Sequence, residues 1–314
     1  MKIWVGVTDK NWFDTLAALG PDDVNFWQPS GNRQFKVLKP GELFLFKLHS
    51  PLNFIVGGGH FVSYSQLPSS LAWEAFGTSN GVQSLSELRQ RVLKYRGGTP
   101  EPDPTIGCNV LAEPFFLPRE DWIPIPASWA PNIVQGKTYD TETDEGRQLR
   151  DAVQAVWKRN PVAAPTAVQE PAIDQVEDDG PRFGNEYLTR GRLGQGSFRV
   201  LVTDAYQRRC AVTGEKTLPV LEAAHIKPYA EDGPHRVTNG LLLRSDLHRL
   251  FDRGYVTVTP GLRLEVSSKL KEHFSNGKEY YAHHGKPLAV LPENALLRPN
   301  ADFLAWHNEK RYLG

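Results

Sequence analysis

Short apolar runs separated by turn residues dominate the first 130 positions. IWVGVT, QFKVLK, ELFLFKL and NFIVGGGHFVSY are rich in β-branched and aromatic residues and are bounded by Gly, Pro and Asn, so they read as strands. Residues 11–19 and 84–95 interrupt this rhythm with helical spacing. Trp4, Trp12, Phe13, Phe26, Trp27, Trp73 and Phe76 all fall in the first eighty positions, which predicts a small barrel or strongly curved sheet filled by large side chains. TETDEGRQLRDAVQAVWKR has acid at its start and base at its end, which suits a helix closing or following this domain. Residues 160–181, NPVAAPTAVQEPAIDQVEDDGP, carry no apolar period and read as an extended, poorly packed linker. Beyond it, residues 219–226 form an apolar run that reads as a strand turned by Pro228, and SDLHRLFD reads as a helix opened by Ser245 and Asp246.

Composition narrows the class. At 314 residues, with 40% hydrophobic and 23% charged residues, the chain suffices for two cored domains of ordinary globular type. No apolar run reaches bilayer length and MKIWVGVTDKNWF lacks the apolar block of a signal peptide, so the expected location is cytoplasmic, with no membrane partner. Cys108 and Cys210 lie far apart, which argues against a disulfide framework, and no CxxC spacing indicates structural zinc. The net charge of zero conceals a division: residues 186–314 hold 19 basic against 14 acidic side chains, whereas residues 140–181 hold four against ten. The basic segment favours phosphate contact, with Arg190, Arg192, Arg199, Arg208 and Arg209 before the 219–226 strand and Arg244, Arg249 and Arg253 around the helix.

The candidate chemistry lies in residues 210–254, CAVTGEKTLPVLEAAHIKPYAEDGPHRVTNGLLLRSDLHRLFDRG. His248 and Asp252 stand at i, i+4 and project from one helix face, where they can grip one cation. His225 ends the strand, and a neutral imidazole there can deprotonate water at physiological pH. Each feature alone has a plainer reading, as a loop histidine or a surface helix pair worth a few tenths of a kcal/mol. Their conjunction with Asn239, fourteen residues after His225, is what points to phosphodiester cleavage.

At these residues the sequence resembles the HNH nucleases, whose ββα-metal fold is a hairpin followed by a helix. The resemblance runs over about 130 residues to the closing FLAWHNEKRYLG. It implies His225 as general base, Asn239 as the residue that braces the loop and orients the base, and His248 and Asp252 as ligands of a divalent ion, Mg²⁺ or Mn²⁺, with Co²⁺ or Ni²⁺ as alternatives. One position departs from the pattern: many members carry a ligand directly before the base, and here it is Ala224. Glu222 is a candidate for the missing carboxylate, although strand alternation disfavours it.

The segment VNFWQPSGNRQFKVLKPGELFLFKL, with WVGVTDKNWF before it, is similar to PUA-like domains of the EVE, ASCH and SRA types, barrels that hold a modified or extruded base. Trp4, Trp27 and Trp73 supply aromatic faces, and Gln28, Ser30 and Asn32 polar groups, for such a pocket. The combined expectation is an α+β protein: a PUA-like β-barrel sensor (1–135), a helix and acidic linker (136–183) and an HNH nuclease (184–314). It would act on double-stranded DNA carrying modified cytosine, such as 5-hydroxymethylcytosine, as a modification-dependent restriction endonuclease. A double-strand break would need a homodimer or two separate events. Two alternatives stay open: a nuclease whose barrel binds protein or RNA, as in a toxin or phage-defence effector, and a non-catalytic DNA-binding module.

Overall fold

The computed structural model describes residues 1–31, 34–97, 101–159 and 193–314. Asn32, Arg190, Arg192 and the 160–181 linker lie outside the described residues. The chain divides into two compact units, Met1–Ser197 and Phe198–Gly314.

The first unit runs β1 (Lys2–Thr8), α1 (Lys10–Leu19), β2 (Asp23–Gln28), β3 (Leu43–Leu48), β4 (Phe54–Pro68), α2 (Ser69–Phe76), α3 (Leu85–Arg96), β5 (Thr105–Phe116), β6 (Ile123–Pro124), β7 (Gly136–Asp140) and α4 (Asp144–Arg159). Its seven-stranded sheet has the order β2-β5-β4-β3-β1-β7, with β6 paired to β4. β1 and β3 are parallel and the other pairs antiparallel. The side-chain alternation of a strand divides the core in two. Ile3, Val5, Leu43 and Leu45 join Leu149, Val153 and Val156 of α4 on one face, while Phe44, Phe46 and Leu48 join Trp12, Phe13 and Leu16 of α1 on the other.

This two-sided burial corrects the barrel expectation. A small closed barrel has an apolar interior and a wet exterior; here both faces are apolar and both take a helix, so the sheet stays open, with β2 and β7 at its unjoined ends. Curvature comes from β4, whose pairing shifts register against both β3 and β5. Gly57 and Gly58 make that crowding feasible: a Cβ would stand 2.3 Å from the Phe115 carbonyl oxygen at the first and 2.7 Å from that of Phe44 at the second.

Both interrupting helices are present and capped as their sequences suggest. Asp9 accepts from the Trp12 amide at 2.8 Å, and Ser84 accepts from the Glu87 amide at 3.1 Å. QFKVLK, in contrast, forms no strand. Its apolar spacing serves packing instead, since Leu38 is buried and Phe35 lies against the aromatic core.

The second unit takes the later part of α5 (Gln195–Ala205), then β8 (Leu221–His225), β9 (Gly240–Arg244), α6 (Ser245–Asp252), β10 (Val256–Val258), β11 (Leu264–Val266), α7 (Lys269–Phe274), α8 (Lys278–Tyr281) and α9 (Ala301–Lys310). β8 and β9 form an antiparallel hairpin that runs directly into α6, and β10 and β11 form a second one. Cys108 and Cys210 are free and buried, and among the described residues no helix is long and apolar enough to cross a membrane.

His307 of α9 locks the second unit together. Its ring stacks on Phe251 at 3.7 Å, and its nitrogens bond the Thr257 hydroxyl (2.8 Å) and the Phe251 carbonyl (3.1 Å). Burial pulls its pKa from 6.5 down to about 4, with Arg311 adding to the shift, so the folded protein keeps the ring neutral. The unfolded chain takes up that proton near 6.5. The stability contribution is therefore intact above pH 6.5, declines as pH falls from 6.5 towards 4, and is lost below. In thermal melts of the full-length protein over this range, His307→Gln should lower the midpoint at neutral pH and flatten its fall on acidification; an unchanged slope would remove His307 as the titrating group.

Candidate active site

Hairpin packing fixes where the candidate base stands. His225, the last residue of β8, pairs with Gly240, and Ala224 pairs with Leu241. Ala224, Leu241, Leu242 and Leu243 are all buried, so a slip in register would expose an apolar row. Gly240 tightens the fit, because a Cβ there would lie 2.5 Å from Val202 of α5. α6 follows β9 without a spacer; it buries Leu247 and Phe251 and leaves His248 half-buried and Asp252 exposed on the other side.

His225 lies between two other rings. Phe198 stacks on it at 3.8 Å and 14°, and His235 places Nδ1 2.9 Å from its Nε2. Tyr229 stacks in turn on His235 at 4.5 Å. Burial, followed by the proximity of His235 and His248, pulls the His225 pKa from 6.5 down to about 4. The ring is therefore neutral throughout the physiological range and able to accept a proton.

Asn239 is fully buried and clamps the hairpin loop. Its side-chain oxygen accepts from the Lys227 amide at 2.9 Å, while its amide group donates to the carbonyls of Lys227 (2.9 Å) and Pro234 (3.0 Å). The loop ends are also tied by the Ile226 amide donating to the Asn239 carbonyl.

Glu222, His248 and Asp252 form the neighbouring polar group. His248 Nδ1 donates to Glu222 at 2.6 Å, and its Nε2 lies 3.4 Å from Asp252. Strand alternation misleads at Glu222, because the side chain is long enough to reach across to α6. With Nδ1 committed to Glu222, Nε2 and the Asp252 carboxylate face each other, and an imidazole nitrogen plus a carboxylate suits a borderline divalent ion. Desolvation raises the Asp252 pKa, a penalty that an adjacent cation would offset. Among the described residues no group of three or more His, Cys, Asp or Glu side chains is arranged to enclose a metal. Water and phosphate oxygen would have to complete any shell.

The arginines differ in availability. Arg244 is committed to Asp246 through two bonds of 2.9 and 2.6 Å. Arg208 pairs with Asp204 at 3.2 Å, and Arg209 reaches the Gly214 carbonyl at 3.5 Å. Arg249 and Arg253 are exposed beside the His248/Asp252 face.

In the first unit a cleft of about 830 Å³ is lined by Trp27, Gln28, Ser30, His49, Tyr95 and Asp9, among others. Trp27 is held by its indole nitrogen donating to the Asn80 carbonyl at 3.0 Å, and Tyr95 stands 6.4 Å from it, ring to ring. Trp4 and Trp73 do not line this cleft. Trp4 packs edge-on against Phe35 at 5.3 Å, and Trp73 lies on α2, which turns Ala72 and Phe76 inward. Asp9 is occupied by the Trp12 amide and Arg91.

Residues 210–259 match the family model described as HNH endonuclease. This segment is an HNH endonuclease domain. It is the module of a hydrolase that cuts DNA phosphodiester bonds, and it contains His225, Asn239, His248 and Asp252. No curated protein matches the chain significantly. Among solved structures, the chain is similar to ASCH from Zymomonas mobilis (12% identity, 48% of this chain, 94% of that one, TM-score 0.33). It is also similar to the modification-dependent TagI restriction endonuclease (22% identity, 38% of this chain, 39% of that one, TM-score 0.29). The type IV phosphorothioation-dependent restriction endonuclease ScoMcrA is a third (14% identity, 98% of this chain, 53% of that one, TM-score 0.21). The chain thus spans less than two thirds of either restriction enzyme.

Sequence reading alone passed over Phe198, Tyr229 and His235 of the HNH site, and Tyr95 of the cleft. His235 lies in an irregular loop where no periodicity marks it; the nearest signal is GPH just before the VTNG turn. The Asn239 clamp carries a direct expectation. Asn239→Ala leaves the Lys227 and Pro234 groups without these partners and should lower stability by about 1–3 kcal/mol, measured by denaturant unfolding. A variant as stable as the parent would mean that solvent satisfies the loop.

Proposed function

We propose that this protein is a modification-dependent restriction endonuclease, in which the HNH unit cuts DNA and the first unit senses a modified base. The observation that carries the nuclease reading is the ββα arrangement itself, which sets a neutral, ring-packed His225 beside the Glu222–His248–Asp252 group within the matched segment. His225 removes a proton from water as the oxygen attacks phosphorus, and the opposite P–O bond breaks. Asn239 keeps the loop, and with it the base, in place. His248 and Asp252 would hold a divalent ion, which when bound supplies charge neutralisation at the phosphate and leaving oxygen. Arg249 and Arg253 are placed to take flanking phosphates.

With plasmid DNA, His225→Ala should cut about 10²-fold more slowly or worse, with near-normal DNA affinity. His248→Ala and Asp252→Ala should be inactive in Mg²⁺ or Mn²⁺, as should the parent in EDTA. Parent-like cleavage by His225→Ala would remove this residue from the mechanism.

The sensing half of the proposal is supported by the Trp27–Tyr95 cleft, whose volume admits a nucleotide and whose walls combine aromatic faces with Gln28 and Ser30. Trp27→Ala and Tyr95→Ala should each cost about 1–3 kcal/mol in binding to modified DNA and erase any preference over plain DNA. Matched plasmids carrying cytosine, methylcytosine or hydroxymethylcytosine provide the comparison, and each variant needs a native melt beforehand. Equal cutting of all three by the parent enzyme would favour a protein- or RNA-binding first unit instead.

A further inference from the structure

The two nitrogens of the His225 ring have different surroundings. Nε2 lies 2.9 Å from Nδ1 of His235, whereas Nδ1 has no hydrogen-bond partner among the described residues and is not shut away from solvent. The rings cross at 63° with centroids 5.0 Å apart. Phe198 stacks on one ring and Tyr229 on the other, which restricts both χ2 angles.

Where both imidazoles are neutral, one nitrogen must donate and the other accept. If His235 donates from Nδ1, the single proton of His225 is left on its own Nδ1, and the solvent-facing nitrogen has no lone pair to offer. If His235 accepts, His225 carries its proton on Nε2 and turns a basic Nδ1 outward. Only the second arrangement lets His225 take a proton from water.

We infer that His235 is a positioning residue that selects the productive tautomer of His225, accepting from Nε2–H so that Nδ1 is the base. The inference rests on the reading of His225 as base and adds to it a residue in the loop that Asn239 clamps. When water gives its proton to Nδ1, the proton on Nε2 stays in place and its bond to His235 becomes charge-assisted. That bond strengthens as the imidazolium forms. His235 thereby does for His225 what a buried carboxylate does for the histidine of a hydrolase triad, with a neutral acceptor in place of an anion. A neutral acceptor avoids placing a further negative charge beside the incoming phosphate.

The test uses the metal-free full-length protein for tautomers and plasmid cleavage in Mn²⁺ for rates. Long-range ¹H–¹⁵N correlation of the labelled protein should show His225 as the Nε2–H form. His235→Phe keeps a ring against Tyr229 but removes the acceptor; it should lose that tautomer preference and lower kcat about 10- to 100-fold at nearly constant KM. His235→Asn can place an amide oxygen where Nδ1 was and should recover most of the rate. An Nδ1–H tautomer in the parent, or a natively melting His235→Phe that cuts at the parent rate, would overturn the proposal. If His235→Phe does not melt natively, the parent's tautomer and the Asn variant decide. His225→Ala, assayed alongside, separates the two readings: full activity there removes the base assignment itself, whereas an inactive His225→Ala beside a fully active His235→Phe removes only the role of His235.

Discussion

The geometry of the nuclease site depends on one buried amide. Asn239 has no exposure and satisfies three backbone groups of Lys227 and Pro234, groups that would otherwise be left without these partners. The bonds hold together a fourteen-residue excursion, 226–239, between paired strands. Closing the loop returns His235 to His225, and the hairpin register then sets His225 opposite Gly240. Aspartate could supply the acceptor but not both donors, which is a physical reason for an amide at this position.

A second constraint is that charge and aromaticity are kept apart within the site. His225 is packed between Phe198 and His235, with Tyr229 stacked on the latter, and desolvation keeps it neutral. His248 instead faces two carboxylates, Glu222 and Asp252. Two imidazoles in one hairpin-helix unit are thus given opposite electrostatic settings, one suited to taking a proton and the other to facing a cation. Arg244, pinned by Asp246, is held off this arrangement and stiffens the junction where β9 becomes α6.

Much of the nuclease unit was legible because its signals are local. The i, i+4 pair, the strand end before Pro228 and the VTNG turn each follow from spacing or turn chemistry. The contacts of Glu222 and His235 were not, since both depend on side chains crossing between elements, which no period records. In the first unit the strand-like runs pointed to curvature, but alternation within a strand does not say whether one face or both will be covered. QFKVLK was misread for a related reason: Phe35 and Leu38 are spaced for packing in an irregular segment rather than for a ladder. Trp4 and Trp73 show the limit of reasoning from aromatic density, because a core and a ligand cleft draw on the same residues.

The open, doubly covered sheet has a consequence for how the first unit is assembled. β1 pairs in parallel with β3, about 40 residues later, and antiparallel with β7, which begins at Gly136. The buried face of β1 is then sealed by α4, whose last residue is Arg159. The first strand of this sheet in chain order is therefore among the last to be completed, and Ile3 and Val5 wait for partners more than 130 residues downstream. Topology of this kind slows folding, because chain entropy must be surrendered before the distant contacts return it. A fragment ending at 135 would lack both β7 and α4 and would take Tyr139, Leu149, Val153 and Val156 from the cluster around Ile3 and Val5, leaving apolar surface open to self-association.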